Sequence, residues 1–568
     1  MSETTRRLHA EEARRSGALY RFRGASGVLH WIRGEAAYLA PNGAMSLLRR
    51  LGIKADWVSE RTLTAGAIED YRALIVPEAT FLPADAGRAL EGWCSTTGRW
   101  LVVSGRTTLS EDLLGTRRLG VEIPERFLGV DGHADDPGPV SAPGYGVQRV
   151  EAVGDGKAIA WLSELSQAER PLVWVAKPLG VPAVVATGRT LYFPFPFFGY
   201  VGAALQAHVC VEPIRGLLGS DGLFYIDRLA AWCFDVLTSH APSPCWSVRL
   251  TPWGRHPSAL VFRHDTDHSR DPSYLDYEAA ERVPATYAVL LDDNRDSWLA
   301  RLAPHRFLEG SFHYRTNREG RLMRLLYRPA GYLPDRRAIT GRGLVRQARA
   351  ARRAGIPIAT VHRHAPFFYY PESVDALGAL YTAFPDAIGS GSMFRWTMYR
   401  FSGAEDSQSY AVLHPDTSVP FWFPFKLVVA AVERHEILSG WESTHLLEPD
   451  PNLLERLFFH ADAQIGGAYT LGYHPAHARR STFVAGGNFP WFVWCVEEAR
   501  RRGWWITTCA DLYRRVAHWE ALTVRVNGAD AWVQNPTDHV FRDAVLLTSE
   551  GPRSFGDLQP GEERVLTW

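Results

Sequence analysis

The stretch "VFRHDTDHS", residues 261–269, ends an apolar run in two acids and two histidines. Asp265 and Asp267 stand two apart, so on an extended strand both project from one face. A carboxylate pair on one face can divide the work of hydrolysis. One acid holds a divalent cation, and the other takes a proton from water. His264 and His268 are then neighbours that orient the acids or line the rim. Three more stretches carry similar chemistry. "GSFHYRTN" offers His313 and Asn317, four apart, which share one face if the stretch is locally helical. "IATVHRHAP" offers His362, Arg363 and His364, and "LGYHPAH" offers His474. A single histidine at a strand end is ordinarily a hydrogen-bonded rim residue, and an Asp near a turn is ordinarily a turn former or cap. Several such ends in one segment, each apolar upstream, point instead to a shared site.

Such a site needs strands whose C-terminal ends converge. From 246 to 520, strand patterns ("ALVFRH", "ATYAVLL", "IPIATVH", "GAYTLGYH") alternate with helix patterns at 342–354, 372–384, 452–465 and 490–502. That repetition predicts a (β/α) barrel, complete or incomplete, with chemistry at the C-terminal strand ends. Ahead of it, 20–215 reads as a second α/β unit. A helix over 42–52 is flanked by strands "GVLHWI" and "IKADWV", and "ALIVPEA" and "RWLVVSG" flank a helix ending at Gly98. "PLVWVAKP", "VPAVVATG" and "TLYFPFPF" complete it. Residues 222–240 read as an amphipathic helix leading out of this unit. The tail, 521–568, changes to period-two alternation and predicts a small antiparallel β element. The fold class is α/β throughout.

Length and composition limit the function classes. A chain of 568 residues is too long for one core. Formal net charge is zero, so no electrostatic footprint suggests nucleic acid or an anionic membrane. No run of 18 apolar residues occurs and the N-terminal stretch lacks an apolar signal core, which together predict a cytoplasmic protein with no membrane partner. The cysteines at 94, 210, 233, 245, 495 and 509 show no CxxC spacing and are expected reduced and mostly buried. P-loop, HExxH and GxSxG motifs do not occur. Aromatic stretches "MFRWTMYRF" and "PFWFPFK" contribute Trp396 and Trp422 as candidate cleft walls on which sugar rings could stack. Packing under a long loop accounts for them equally.

The order "FRHDTD", "HYRTN", "GYHPAH" resembles the polysaccharide deacetylases of carbohydrate esterase family four and their (β/α)7-barrel relatives, over about 230 residues. A divergent branch of that family opens with a similar "FRHDVD". The resemblance implies a metal-dependent hydrolase that removes an acyl group, typically acetyl, from an amino sugar or glycan. Asp265 would be the base and His474 the proton donor to the leaving group. Asp267, His313 and Asn317 would hold a divalent ion, zinc in the first place, with nickel, cobalt or manganese as substitutes. His362, Arg363, His364, Trp396 and Trp422 would contact substrate. Asn317 departs from the family's second histidine; a harder ion, or a ligand borrowed from His362 or His364, would meet that change. The N-terminal unit is similar to the flavodoxin-like, class I glutamine-amidotransferase-like domain. Its strand "LVVSGRTT" brings Ser104 and Arg106 where an active member has a cysteine, so an accessory role is expected, compatible with a homo-oligomer.

Two rival readings stand beside this one. Paired carboxylates could cleave a glycoside without metal, with Asp265 or Asp267 working against Glu442 or Asp416. A degenerate barrel could also bind carbohydrate, or serve assembly, without catalysis.

Overall fold

The computed structural model describes chiefly residues 43–56, 63–77, 82–123, 147–167, 174–199, 225–241, 244–291, 295–315, 341–364, 379–390, 466–480 and 486–567, without residues 57, 268 and 528–529. Short strand pieces at 128–131, 398–399, 410–411, 421–424, 439–442 and 446–447 add to these, with parts of 449–461. "GVLHWI" and most of the 372–384 and 452–465 helices fall outside them.

The strand Ala259–Asp265 is buried along its whole length, which is why its sequence begins as a continuous apolar run rather than an alternation. It lies inside a ten-stranded sheet. Parallel pairing runs from it through Ala285–Leu290, Leu308–Arg315, Thr360–His364, Gly389–Ser390 and Ser439–Glu442 on one side. On the other side come Ala468–Tyr473 and then Leu446–Leu447, again parallel. Ser439–Glu442 and Leu446–Leu447, close in sequence, therefore stand at opposite ends of the parallel pairing path. Phe421–Pro424 adds an antiparallel strand beside Ser439–Glu442. Helices Ser273–Glu281, Arg295–Leu302 and Gly341–Arg353 link successive strands; the third is the helix expected at 342–354, and the first two were not read from the sequence.

The N-terminal sheet is only partly the parallel sheet expected from its sequence. Ala73–Val76, Trp100–Ser104 and Thr190–Phe193 are parallel. The remaining three strands, Trp174–Ala186, Lys157–Gln167 and Leu128–Asp131, are antiparallel. The two strands read at "PLVWVAKP" and "VPAVVATG" are one, Trp174–Ala186. Gly180 takes φ +63° within it, and its register to Lys157–Gln167 is irregular, so the turn-like residues bend the strand without ending it. Residues 53–56 of "IKADWV" form no strand. They are drawn elsewhere: Lys54 Nζ donates to the carbonyls of Trp519 and Glu520 at 2.9 and 2.7 Å and lies over the Trp519 ring. Burial lowers the Lys54 amine to about 8.

The helix at 43–51 ends at Gly52, whose φ of +74° only glycine adopts without strain. A Cβ there would meet the Leu250 carbonyl oxygen at 2.9 Å. Leu250 belongs to Arg249–Thr251, which pairs with Phe541–Thr548. The C-terminal unit thus has two three-stranded antiparallel sheets, and one of them takes its third strand from residues ahead of Ala259. The tail is β as expected, its first strand Thr523–Asn527 following the helix that ends at Ala521, and Arg249–Thr251 joins it from earlier in the chain. Among the described residues, no helix is long and apolar enough to cross a membrane.

One apolar cluster joins the N-terminal sheet (Val102, Leu191, Phe193), the helix Tyr225–His240 (Leu229, Trp232, Val236) and the outer face of the second sheet (Leu260, Phe262, Tyr287). A buried ion pair crosses this junction. Arg50 Nε lies 3.0 Å from Asp227 Oδ1, with the two side chains 3 % and 0 % exposed. Removing one partner of such a pair strands the other charge. Asp227→Ala is therefore expected to cost about 3–5 kcal/mol, read as a lower denaturant midpoint; an unchanged midpoint would show that Arg50 finds another partner.

Candidate functional site

Period two divides the strand Ala259–Asp265 between two environments. Leu260 and Phe262 join the outer cluster, and Ala259 and Val261 pack with Cys509, Leu512 and Tyr513 of the helix Cys509–Ala521. Arg263 and Asp265 continue the second face, and His264 the first. His264 is fully buried, its Nε2 2.6 Å from Glu278 Oε1, and its ring stacks on Tyr274 at 4.8 Å. Tyr287 donates to the other Glu278 oxygen at 2.5 Å. Burial, then the Glu278 charge, raises the Tyr287 phenol well above its usual range. His264 therefore fastens the strand to the helix Ser273–Glu281. It neither lines the rim nor touches the two acids' face, contrary to the expectation from sequence. His268 lies outside the described residues.

Asp265, Asp267, His313 and His474 come together at the C-terminal ends of three strands. His313 Nδ1 is 3.8 Å from Asp265 Oδ1, and its Nε2 is 3.8 Å from Asp267 Oδ1. His474 Nε2 is 3.9 Å from Asp265 Oδ2 and 3.4 Å from Asp267 Oδ2. The two acids differ in surroundings. Asp265 is 4 % exposed and accepts from the buried Arg263 guanidinium at 2.6 Å through Oδ2. Its Oδ1 is buried without a hydrogen bond. Asp267 is 20 % exposed at its side chain and stands nearer the opening. His313 Nδ1 faces the Ala288 carbonyl at 3.4 Å. A carbonyl can only accept, so Nδ1 carries the proton in the neutral ring and Nε2 presents its lone pair toward Asp267.

The donor chemistry fits a divalent cation: carboxylate oxygens, an imidazole lone pair backed by a carbonyl, and one buried carboxylate oxygen with no hydrogen bond. The donors stand as an opened set. Among the described residues, no three His, Cys, Asp or Glu side chains already enclose one metal-sized point. His362 is in register with His313 on the neighbouring strand and is fully buried. Arg363 and His364 continue that strand in backbone, as Trp422 does in Phe421–Pro424. The side chains of Arg363, His364 and Trp422, and all of Asn317, Trp396 and Asp416, lie outside the described residues. So does the side chain of Glu442. In the N-terminal unit Ser104 is fully buried and donates to the Phe195 carbonyl at 3.1 Å, a structural bond rather than a nucleophile's setting. Cys94, Cys233, Cys495 and Cys509 are buried free thiols, as expected.

Two members of this constellation were not singled out in the sequence. Arg263 could have been, since it stands two residues before Asp265 on the same strand face. Glu309, four residues before His313, lies deeper on the same face of its strand. It accepts from Thr360 Oγ1, from Thr286 Oγ1 at 2.8 Å and from the Ala510 amide at 3.0 Å. The last contact ties the strand to the first turn of the helix Cys509–Ala521. Burial raises the Glu309 carboxyl above the usual range despite these bonds. A raised carboxyl pKa favours the folded state below the unfolded value, and that advantage fades as pH rises through the folded value. Glu309→Gln is expected to flatten the loss of stability between those two values, measured as melting temperature across pH. A variant with an unaltered pH profile would show that Glu309 does not contribute it.

Comparisons with protein-family models, curated proteins and solved structures found no match to this chain.

Proposed function

We propose that the chain is a metal-dependent hydrolase that removes an acyl group, acetyl in the first instance, from an amino sugar or glycan. It would do so on a (β/α)7 barrel of the polysaccharide-deacetylase type. The convergence of Asp265, Asp267, His313 and His474, at N···O separations of 3.4–3.9 Å, carries the reading. The parallel strand order supports the barrel, with Ser439–Glu442 next to Gly389–Ser390 at one end and Leu446–Leu447 next to Ala468–Tyr473 at the other.

Asp267 and His313 would hold the ion, through Oδ1 or Oδ2 and through Nε2. A divalent ion supplies positive charge that polarises an amide or ester carbonyl and acidifies water. Asp265, fixed by Arg263, is the base positioned to receive the proton of the attacking water. Asp265 and His313 are 4 % and 1 % exposed, so their charges act through a lower dielectric than water.

Purified protein is expected to carry about one equivalent of zinc, nickel, cobalt or manganese per chain. Acetate release from acetylated chito-oligosaccharides should stop on chelation and return with metal. Asp267→Ala should lose the metal and at least about 10²-fold in rate. Metal-free protein that still releases acetate, or reducing sugar instead of acetate, would overturn the assignment.

A further inference from the structure

We infer that His474 is a third protein ligand of the ion beside Asp267 and His313, in a sequence that has Asn317 where the family pattern has a second histidine. This rests on the metal-hydrolase reading and changes the part that the family resemblance gives to His474, that of proton donor.

The distances carry it. Donors bound at about 2.0–2.1 Å in a tetrahedral zinc site stand about 3.3–3.4 Å from one another along each edge. His474 Nε2 and Asp267 Oδ2 are 3.4 Å apart, which is one such edge. His313 Nε2 stands 3.8 Å from the other carboxylate oxygen, Oδ1, so Asp267 would meet the ion through both oxygens or turn one of them toward both rings. Asp267 thus faces both imidazoles, each through Nε2. Asp265 is committed differently, since its Oδ2 is held by Arg263 at 2.6 Å. The set divides into Asp267, His313 and His474 around the ion, with Asp265 beside them.

Local structure fits this assignment. His474 follows the buried strand Ala468–Tyr473 with extended backbone, φ −95° and ψ 128°. Pro475 opens a short 3-10 turn directly after it, which fixes where the side chain leaves the strand. The ring is 18 % exposed, nearly the same as Asp267 at 20 %, so the two stand at one depth beneath the opening. An amide oxygen is a poorer zinc donor than an imidazole, so replacement of the family's second histidine by Asn317 calls for another nitrogen. With His474 engaged, Asp265 carries the proton both ways. It takes it from water as the new C–O bond forms, and returns it to the leaving nitrogen or oxygen as the acyl bond breaks.

The test uses the full chain freed of metal, with zinc affinity measured by chelator competition and cobalt uptake followed by visible absorption. His474→Ala is expected to weaken zinc about 100-fold or more and to lose the intense visible band of four-coordinate cobalt. His474→Gln keeps the bulk and is expected to show the same loss; it serves if the alanine variant does not fold. Zinc binding within threefold of wild type in a folded His474 variant overturns the ligand assignment and leaves the hydrolase reading standing. Wild-type protein that takes up neither zinc nor cobalt overturns both.

Discussion

Two acids two residues apart can share one site only while the strand that carries them keeps its register. A slip of one residue would send Asp265 into the apolar layer and bring His264 to the site. The buried contact of His264 with Glu278, which also accepts from Tyr287, ties the strand to a neighbouring helix and strand and opposes that slip. Arg263 and Asp265 pair within the strand and would move together, so a slip would carry both charged groups into the apolar layer, where a charge is costly. The strand is therefore held in register by these buried polar groups, and the candidate site inherits its geometry from that.

The same logic extends down the strands. The face of this sheet that carries the site is rich in polar residues: Arg263, Glu309, Thr286, Ser311, His313, Thr360 and His362. Polar layers of this kind need their partners supplied from outside the strands. The helix Cys509–Ala521 supplies two, as the Cys509 amide donates to Thr286 and the Ala510 amide to Glu309. It also buries Leu512, Tyr513 and Val516 against Val261. The far end of this helix accepts Lys54 at its last carbonyls and pairs Glu520 with Arg49. One helix thus closes the floor of the site and ties it to the N-terminal unit.

That tie gives the N-terminal unit a structural part, with its helix at 43–51 contacting both the Tyr225–His240 helix through Arg50 and the C-terminal unit through Arg49 and Gly52. Ser104, at the end of its strand Trp100–Ser104, is spent on a backbone carbonyl. Nothing in its described residues competes with the second sheet as a place for chemistry.

The sequence by itself determined the α/β class, the positions of the strands Ala259–Asp265, Ala285–Leu290 and Ala468–Tyr473, and the acids and histidines at their ends. These depend on local periodicity, and apolar runs ending in charged residues are visible in one dimension. Tertiary structure decided what local pattern does not encode. It merged 174–186 into one bent strand, drew 249–251 into the C-terminal sheet, and left 53–56 out of any strand, with Lys54 Nζ held by carbonyls of a distant helix. It also separated neighbours that looked equivalent. His264 and Asp265 are adjacent in sequence, yet the pleat sends them to opposite faces, one to a buried anchor and the other to the candidate site. Which nitrogen meets which oxygen depends on long-range strand pairing, and that is set by packing across the whole sheet.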